Sequence, residues 1–287
     1  MEAGFDLFGA PIEKKNELKE MFGENPFSIL DTKSGLWQAR KRNWIKLGIK
    51  SEIGRDAKTY HIQDWASDKG RTMPSDTSIF DPVLCELMYK WFCPSGGAIL
   101  DPFAGGSVRG IVANYLGFHY TGIDIRQEQV DSNREQALDI LEVNNQPQWY
   151  VGDSNKVLDN MTTDFDLVFS CPPYADLEVY SDLEGDISNM KYDDFLKAYE
   201  SIIKKSCERL KKGGFAIFVV GEVRDKNGNY YGFVPDTYNC FKNAGLHLYN
   251  EAILATSLAS AALRASGNMK SKKLVKVHQN ILIFKKP

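Results

Sequence analysis

The sequence predicts an α/β protein built on a mostly parallel sheet with helices on both faces. Three observations lead there. Short apolar runs recur that each end in an acid, a glycine or a proline; stretches with apolar residues at helical spacing separate them; and glycine and proline punctuate the joints. Seven such runs are present, and the last two lack a helix between them, so they are expected to close the sheet as an antiparallel hairpin. With 287 residues, 43% of them hydrophobic, the chain can bury a full core as one large domain or one domain with an added segment.

The elements follow in order. Residues 1–36 mix glycines and prolines with short helical patches and give little to place. Residues 37–55 carry six basic residues against one acid, interleaved with Trp37, Trp44 and Ile45. Two readings stand for this segment. Exposed rings beside basic side chains suit a nucleic-acid surface, with Arg40, Lys41, Arg42 and Trp44 in contact; alternatively an amphipathic helix packs the tryptophans inward. From residue 73 the pattern is regular. A helix is expected over 77–92, with Pro82 near its start. The first strand, from Ala98, runs into Asp101-Pro102-Phe103-Ala104-Gly105-Gly106-Ser107, and a helix follows. Glycine at such a turn lets backbone approach a ligand closely.

The second strand, 120–125, ends in Asp124-Ile125, an acid about twenty residues past the turn, where nucleotide-binding folds engage a ribose. The third, 148–151, ends in Gly152-Asp153-Ser154. The fourth is Leu167-Val168-Phe169, stopped by Ser170-Cys171-Pro172-Pro173-Tyr174. A Pro-Pro pair ends the ladder and stiffens the exit, so this stretch is either an ordinary strand stop or a rigid polar and aromatic corner at the ligand-binding edge. A long helix over 192–210 leads to a fifth strand, 215–220, and Gly221-Glu222-Val223-Arg224. A helix near 235–243 and strands 248–255 and 278–284 complete the alternation. The long connection 256–277 is polar and basic, with Arg264, Lys270 and Lys272, as a binding loop or a disordered one would be.

Composition excludes several classes. The net charge of −3 gives no overall field for nucleic acid, so an anionic partner has to meet local patches. Five cysteines without a C-x-x-C pair argue against a disulfide framework and against a zinc site, and point to the reducing cytoplasm. No apolar run is long enough for a membrane span.

Taken together, Asp101-Pro102-Phe103-Ala104-Gly105-Gly106, Asp124, Asp153 and Cys171-Pro172-Pro173-Tyr174, in this order, resemble the S-adenosylmethionine-dependent DNA methyltransferases that modify exocyclic amino groups. The resemblance covers about 77–174 well and the later strands in a general way. It implies a Rossmann-like class I methyltransferase domain over 73–287, preceded by a substrate-facing segment, 1–72. It also implies S-adenosylmethionine as cofactor, no metal, and DNA as partner. Phe103, Ala104 and Gly105 would lie near the methionine part, Asp124 on the ribose and Asp153 beside the adenine, with Asp101, Gly106, Ile125 and Ser154 as further cofactor-binding residues. Arg264, Lys270 and Lys272 join the DNA-contacting residues of the N-terminal segment. Two departures stand out. The glycine motif reads Gly105-Gly106-Ser107 without a small residue between glycines, and Cys171 occupies a place where the family has Asp, Asn or Ser.

The chemistry turns on that cysteine. An exocyclic amino nitrogen is a poor nucleophile, so the base must be flipped out and its amino hydrogens accepted. The Pro172 carbonyl and the Tyr174 ring suit acceptance and stacking, whereas Cys171 accepts weakly; Ser170 is a neighbouring hydroxyl that should point the other way. The rival is covalent attack by Cys171 on pyrimidine carbon-5, with Glu222 on the next strand end engaging the base. An RNA or small-molecule substrate, or cofactor binding without catalysis, are further alternatives because fold does not fix substrate.

Overall fold

In the computed structural model of the chain, the structure describes residues 17–50, 80–174, 181, 183–256 and 261–287. The elements in order are α1 (Glu17–Phe22), β1 (Ile29–Asp31), α2 (Gly35–Lys46), α3 (Pro82–Phe92), β2 (Ala98–Asp101), α4 (Val108–Tyr115), β3 (His119–Asp124), α5 (Gln127–Ile140), β4 (Gln148–Val151), α6 (Ser154–Asp159), β5 (Phe165–Ser170), a 3-10 turn (Ile187–Asn189), α7 (Tyr192–Arg209), β6 (Leu210–Val220), α8 (Phe233–Asn243), β7 (His247–Ala255), α9 (Ala261–Lys270) and β8 (His278–Lys285).

The strands form one sheet in the order β1-β7-β8-β6-β5-β2-β3-β4. Only β8 runs antiparallel to its neighbours, pairing Ile217 with Ile283 on one side and Ile253 with Asn280 on the other. This is the expected α/β, Rossmann-like architecture with its terminal antiparallel hairpin. It has one strand more than expected: β1, from the N-terminal segment, adds in parallel to β7 through Leu30 and Leu254. Three residues with only Leu30 buried carry too short an apolar signal to stand out in the sequence.

Side-chain alternation along the strands feeds two cores, one on each face. Leu167, Phe169, Ile217 and Val219 meet Leu84, Met88, Ile111 and Val130 of α3, α4 and α5. Val168, Ala216, Phe218 and Val220 meet Phe195, Tyr199, Ile203 and Phe241 of α7 and α8. At the larger fringe of the first core lie Trp37, Trp44 and Ile49, so residues 17–50 pack onto the same sheet as the rest.

Boundaries shift where caps decide them. Helix α3 starts at Pro82 because Asp81 accepts the Val83 amide hydrogen at 2.9 Å; residues 77–79 of the expected helix lie outside the described residues. Helix α7 ends at Arg209 rather than running to 210, since Leu210 is already paired with Phe165 in β6. The connection between β7 and β8 contains α9, which beyond Ala261 is exposed except for the half-buried Asn268.

Candidate active site

The carboxyl ends of β2 to β5 open onto a cleft of about 550 Å³. Its lining joins the two motifs: Phe103, Gly105 and Gly106 of the glycine turn, Asp124 and Ile125, Asp153 and Ser154, and Cys171 through Tyr174. Strand ends placed side by side by the parallel pairings β5-β2-β3-β4 bring together residues spread over some seventy positions.

Asp101 organises this edge from behind. It is fully buried and accepts from Arg109 Nε at 2.5 Å, the Tyr120 hydroxyl at 2.7 Å, the Ser170 hydroxyl at 2.5 Å and the Phe103 amide at 3.2 Å. Arg109, itself buried, also donates to the Phe103 and Ala104 carbonyls at 2.6 and 2.7 Å, and its guanidinium lies over the Phe80 ring. Burial alone would lower the arginine's proton affinity, but the adjacent Asp101 carboxylate raises it. This buried pair ties β2, α4, β3 and β5 together and shapes the turn from inside.

Asp101 therefore does not line the cleft, which corrects its expected place at the cofactor. Ala104 is likewise buried, its amide on the Ile123 carbonyl and its methyl against Gly122. Ser170 is corrected as well: its hydroxyl is committed to Asp101 and fully buried, because one residue back from Cys171 the strand faces the core.

Around the turn, Gly105 adopts a left-handed φ of 53° and its amide donates to Asp124 Oδ2 at 3.0 Å. Asp124 Oδ1 accepts the Arg126 amide at 2.8 Å at the start of α5. Asp124 lines the cleft at the strand end where nucleotide-binding folds engage a ribose. Asp153 caps α6 through the Asn155 amide at 2.9 Å, and Ser154 donates to the Pro102 carbonyl at 2.5 Å, pinning β4's end to β2's. Asp186, buried and bonded to Ser181 and Ser188, holds a turn whose Gly185 lies against Asp153 and whose Ile187 lines the cleft on this side.

At the other side, Pro172 is buried and Cys171 half-buried. The Tyr174 hydroxyl accepts from Gln279 at 2.8 Å, and its ring meets Phe233 nearly edge to face. Beside it Lys276 is half-buried, and burial lowers its proton affinity against the opposing pull of Glu222.

Glu222 faces elsewhere. Its two oxygens accept the Phe233 and Val234 amides, each at 3.1 Å, capping α8. The end of a helix offers unpaired N–H groups, and a carboxylate in reach satisfies them. Its expected role at the base is corrected on that ground, and it does not line the cleft. Arg224 pairs with Tyr230 rather than with Glu222.

The N-terminal tryptophans take the inward alternative. Trp37 is 1% exposed and donates to Asp81, and Trp44 is 6% exposed and donates to Glu86. Arg40 pairs with Glu86 at 2.7 Å and Lys41 with Asp81 at 3.2 Å, while Arg42 is exposed. Trp44 is thereby removed from the surface expected for it, and Arg40 is spent within the chain. Lys41 still borders the cleft. Residues 51–55 of that segment lie outside the described residues.

Burial raises the proton affinity of Glu86, and its hydrogen bonds and cations (Lys90, Arg40, Trp44) outweigh this and lower it. A depressed carboxylate adds stability above its unfolded-state range and loses it as pH falls through the folded value. Glu86→Gln is expected to lose about 1–3 kcal/mol at neutral pH, toward the low end because Lys90 is solvent-screened. Urea unfolding at several pH values should show the difference from wild type vanishing in acid.

Reading the sequence alone missed Arg109, Tyr120 and the Asp186 turn. A basic residue eight positions after the strand-end acid was the available signal for Arg109. Among the described residues no cluster of side chains could hold a metal ion, and no helix is long and apolar enough to cross a membrane.

No protein-family profile matches the chain, and a search of curated proteins finds no relative. Solved structures resemble it at low identity. TrmN from Thermus thermophilus gives a TM-score of 0.49 at 13% identity, covering 72% of this chain and 49% of that one, so this chain spans about half its length. Magnesium protoporphyrin IX methyltransferase from Synechocystis, with bound SAM, gives 0.48 at 13% identity over 81% and 95% of the two chains. A TehB-like SAM-dependent methyltransferase from Corynebacterium glutamicum gives 0.42 at 18% identity over 87% and 100%.

Proposed function

We propose that this chain is an S-adenosylmethionine-dependent methyltransferase acting on an exocyclic amino group of a base held out of DNA. The observation that carries the proposal is the single cleft in which the glycine turn, Asp124 and Asp153 face the Cys171–Tyr174 corner. Its donor and acceptor set fits the cofactor: a close backbone approach at Gly105, acceptors at Asp124, and a further carboxylate at Asp153. When bound there, the cofactor supplies an electrophilic methyl group.

The chain's own residues position the base. Pro172 and Pro173 have no N–H, so the corner presents carbonyl oxygens to amino hydrogens without a competing donor. Acceptance of those hydrogens turns the nitrogen lone pair out of the ring and toward the methyl. Phe233 and Gln279 hold the Tyr174 ring beside the corner, where a flipped base would stack. The N–CH3 bond would form as the donor's S–CH3 bond breaks to leave a neutral thioether, and one amino proton would leave to solvent.

Attack at carbon-5 is the weaker reading because it needs a carboxylate at the neighbouring strand end, and Glu222 is occupied as a helix cap. In the proposed chemistry Cys171 is a wall of the base pocket, not a nucleophile. Transfer of methyl label to DNA by Cys171→Ala should stay within about tenfold of wild type, since no covalent step runs through the thiol. Loss of all transfer with intact cofactor binding would contradict this, as would label entering RNA and not DNA.

A further inference from the structure

The loop that follows β6 is not an irregular connection. Residues 223–231 form a small hairpin: Arg224 and Tyr230 bridge, the Asp225 amide donates to the Asn229 carbonyl at 2.8 Å, and Gly228 turns with φ 89°. The Arg224 guanidinium lies 3.9 Å from the centroid of the Tyr230 ring and donates to the Gly228 carbonyl at 2.6 Å. Tyr230 remains 47% exposed.

This hairpin leans on a second basic stretch. The Lys273 side chain lies over Gly228, in the space a Cβ would take. Lys273 follows the end of α9, where Lys272 adopts a left-handed φ of 57° and the Lys272 and Lys273 amides bond back to Met269 and Asn268. At its root the hairpin reaches the candidate active site. A Cβ at Gly221 would sit 3.7 Å from the Tyr174 ring and 3.9 Å from Lys276 Nζ. Chain segment 273–276 thus joins two contacts, Lys276 and Tyr174 about Gly221 beside the cleft, and Lys273 over Gly228 of the hairpin that Arg224 holds.

The charge of this run opposes that of the whole protein. Residues 221–232 and 270–277 hold Arg224, Lys226, Lys270, Lys272, Lys273 and Lys276 against Glu222 and Asp225. Both acids are occupied by backbone amides, Glu222 at α8 and Asp225 within the hairpin turn. Among the described residues, none of Lys226, Lys270, Lys272 and Lys273 is in an ion pair.

We propose that the hairpin 223–231 and residues 270–276 form a composite ridge that binds the phosphate backbone of the polynucleotide beside the target base. This rests on the function proposed above and moves the nucleic-acid surface away from α2, where Arg40 and Lys41 are paired with Glu86 and Asp81. The lysines give the affinity, and Arg224-backed Tyr230 offers a flat face to a neighbouring base or sugar.

The test is anisotropy of a labelled DNA duplex of about 20 base pairs, titrated with full-length protein across a salt series. Lys226→Glu with Lys273→Glu should raise Kd at least tenfold and reduce the salt slope by about 2, one per lost phosphate contact. Binding of S-adenosylmethionine should stay within about twofold, since neither lysine lines the cleft. Tyr230→Ala, which leaves every lysine in place, should weaken DNA binding with the slope unchanged. Wild-type affinity and slope in the double variant would overturn the ridge while leaving the proposed function standing. Failure of wild-type protein to bind any polynucleotide would overturn both.

Discussion

Arg109→Met is expected to cost about 3–5 kcal/mol of folding stability, because it strands a fully buried carboxylate. Asp101 would retain the Tyr120 and Ser170 hydroxyls and the Phe103 amide, but no cation. The same change frees the Phe103 and Ala104 carbonyls, which Arg109 holds from inside the glycine turn. Against a typical total of about 5–15 kcal/mol this is a large share, so urea unfolding followed by tryptophan fluorescence should show it as a marked fall in midpoint. Adding Asp101→Asn removes the stranded charge, and the double variant should be more stable than Arg109→Met alone. A loss below about 1 kcal/mol in Arg109→Met would mean that the pair is not the organiser of this edge.

Asp124→Ala should act on binding more than on folding. The carboxylate is only partly buried, yet it holds the Gly105 amide on one oxygen and the Arg126 amide on the other. Its removal releases a turn held in a left-handed backbone and takes away the acceptors proposed for the ribose. Hydrogen bonds to a charged group contribute about 1.5–3 kcal/mol each, so losing two predicts at least a 100-fold rise in the Kd for S-adenosylmethionine. Isothermal titration with Asp124→Asn as a companion separates the roles: the amide oxygen can still receive Gly105, and affinity should fall less. Equal binding by Asp124→Ala and wild type would remove the cofactor from this place.

Much of the framework was visible in the sequence because it depends on local signals. Strand ends at Asp101, Asp124, Asp153 and Cys171 are each marked by a change from apolar residues to acid, glycine or proline, and a parallel sheet lines such ends up. What stayed hidden depends on contacts between distant residues. The pairing of Arg109 with Asp101 and the inward turn of Trp44 toward Glu86 are decided by packing. A carboxylate at a strand end, such as Glu222, resembles a reactive group until the start of α8, eleven residues on, is seen to occupy it. For Ser170 the period of two along a strand gave the right warning, and its partner Asp101 explains why the hydroxyl is there at all. The strand β1 and the helix α9 are short or polar enough that only their neighbours reveal them.

In the proposed function a base amino group meets the methyl donor at the Cys171–Tyr174 corner. Its most direct test is mass spectrometry of nucleosides from DNA incubated with the purified protein and methyl-labelled S-adenosylmethionine. Label is expected in N6-methyldeoxyadenosine or N4-methyldeoxycytidine. Label in 5-methyldeoxycytidine, or in no deoxynucleoside, would contradict it.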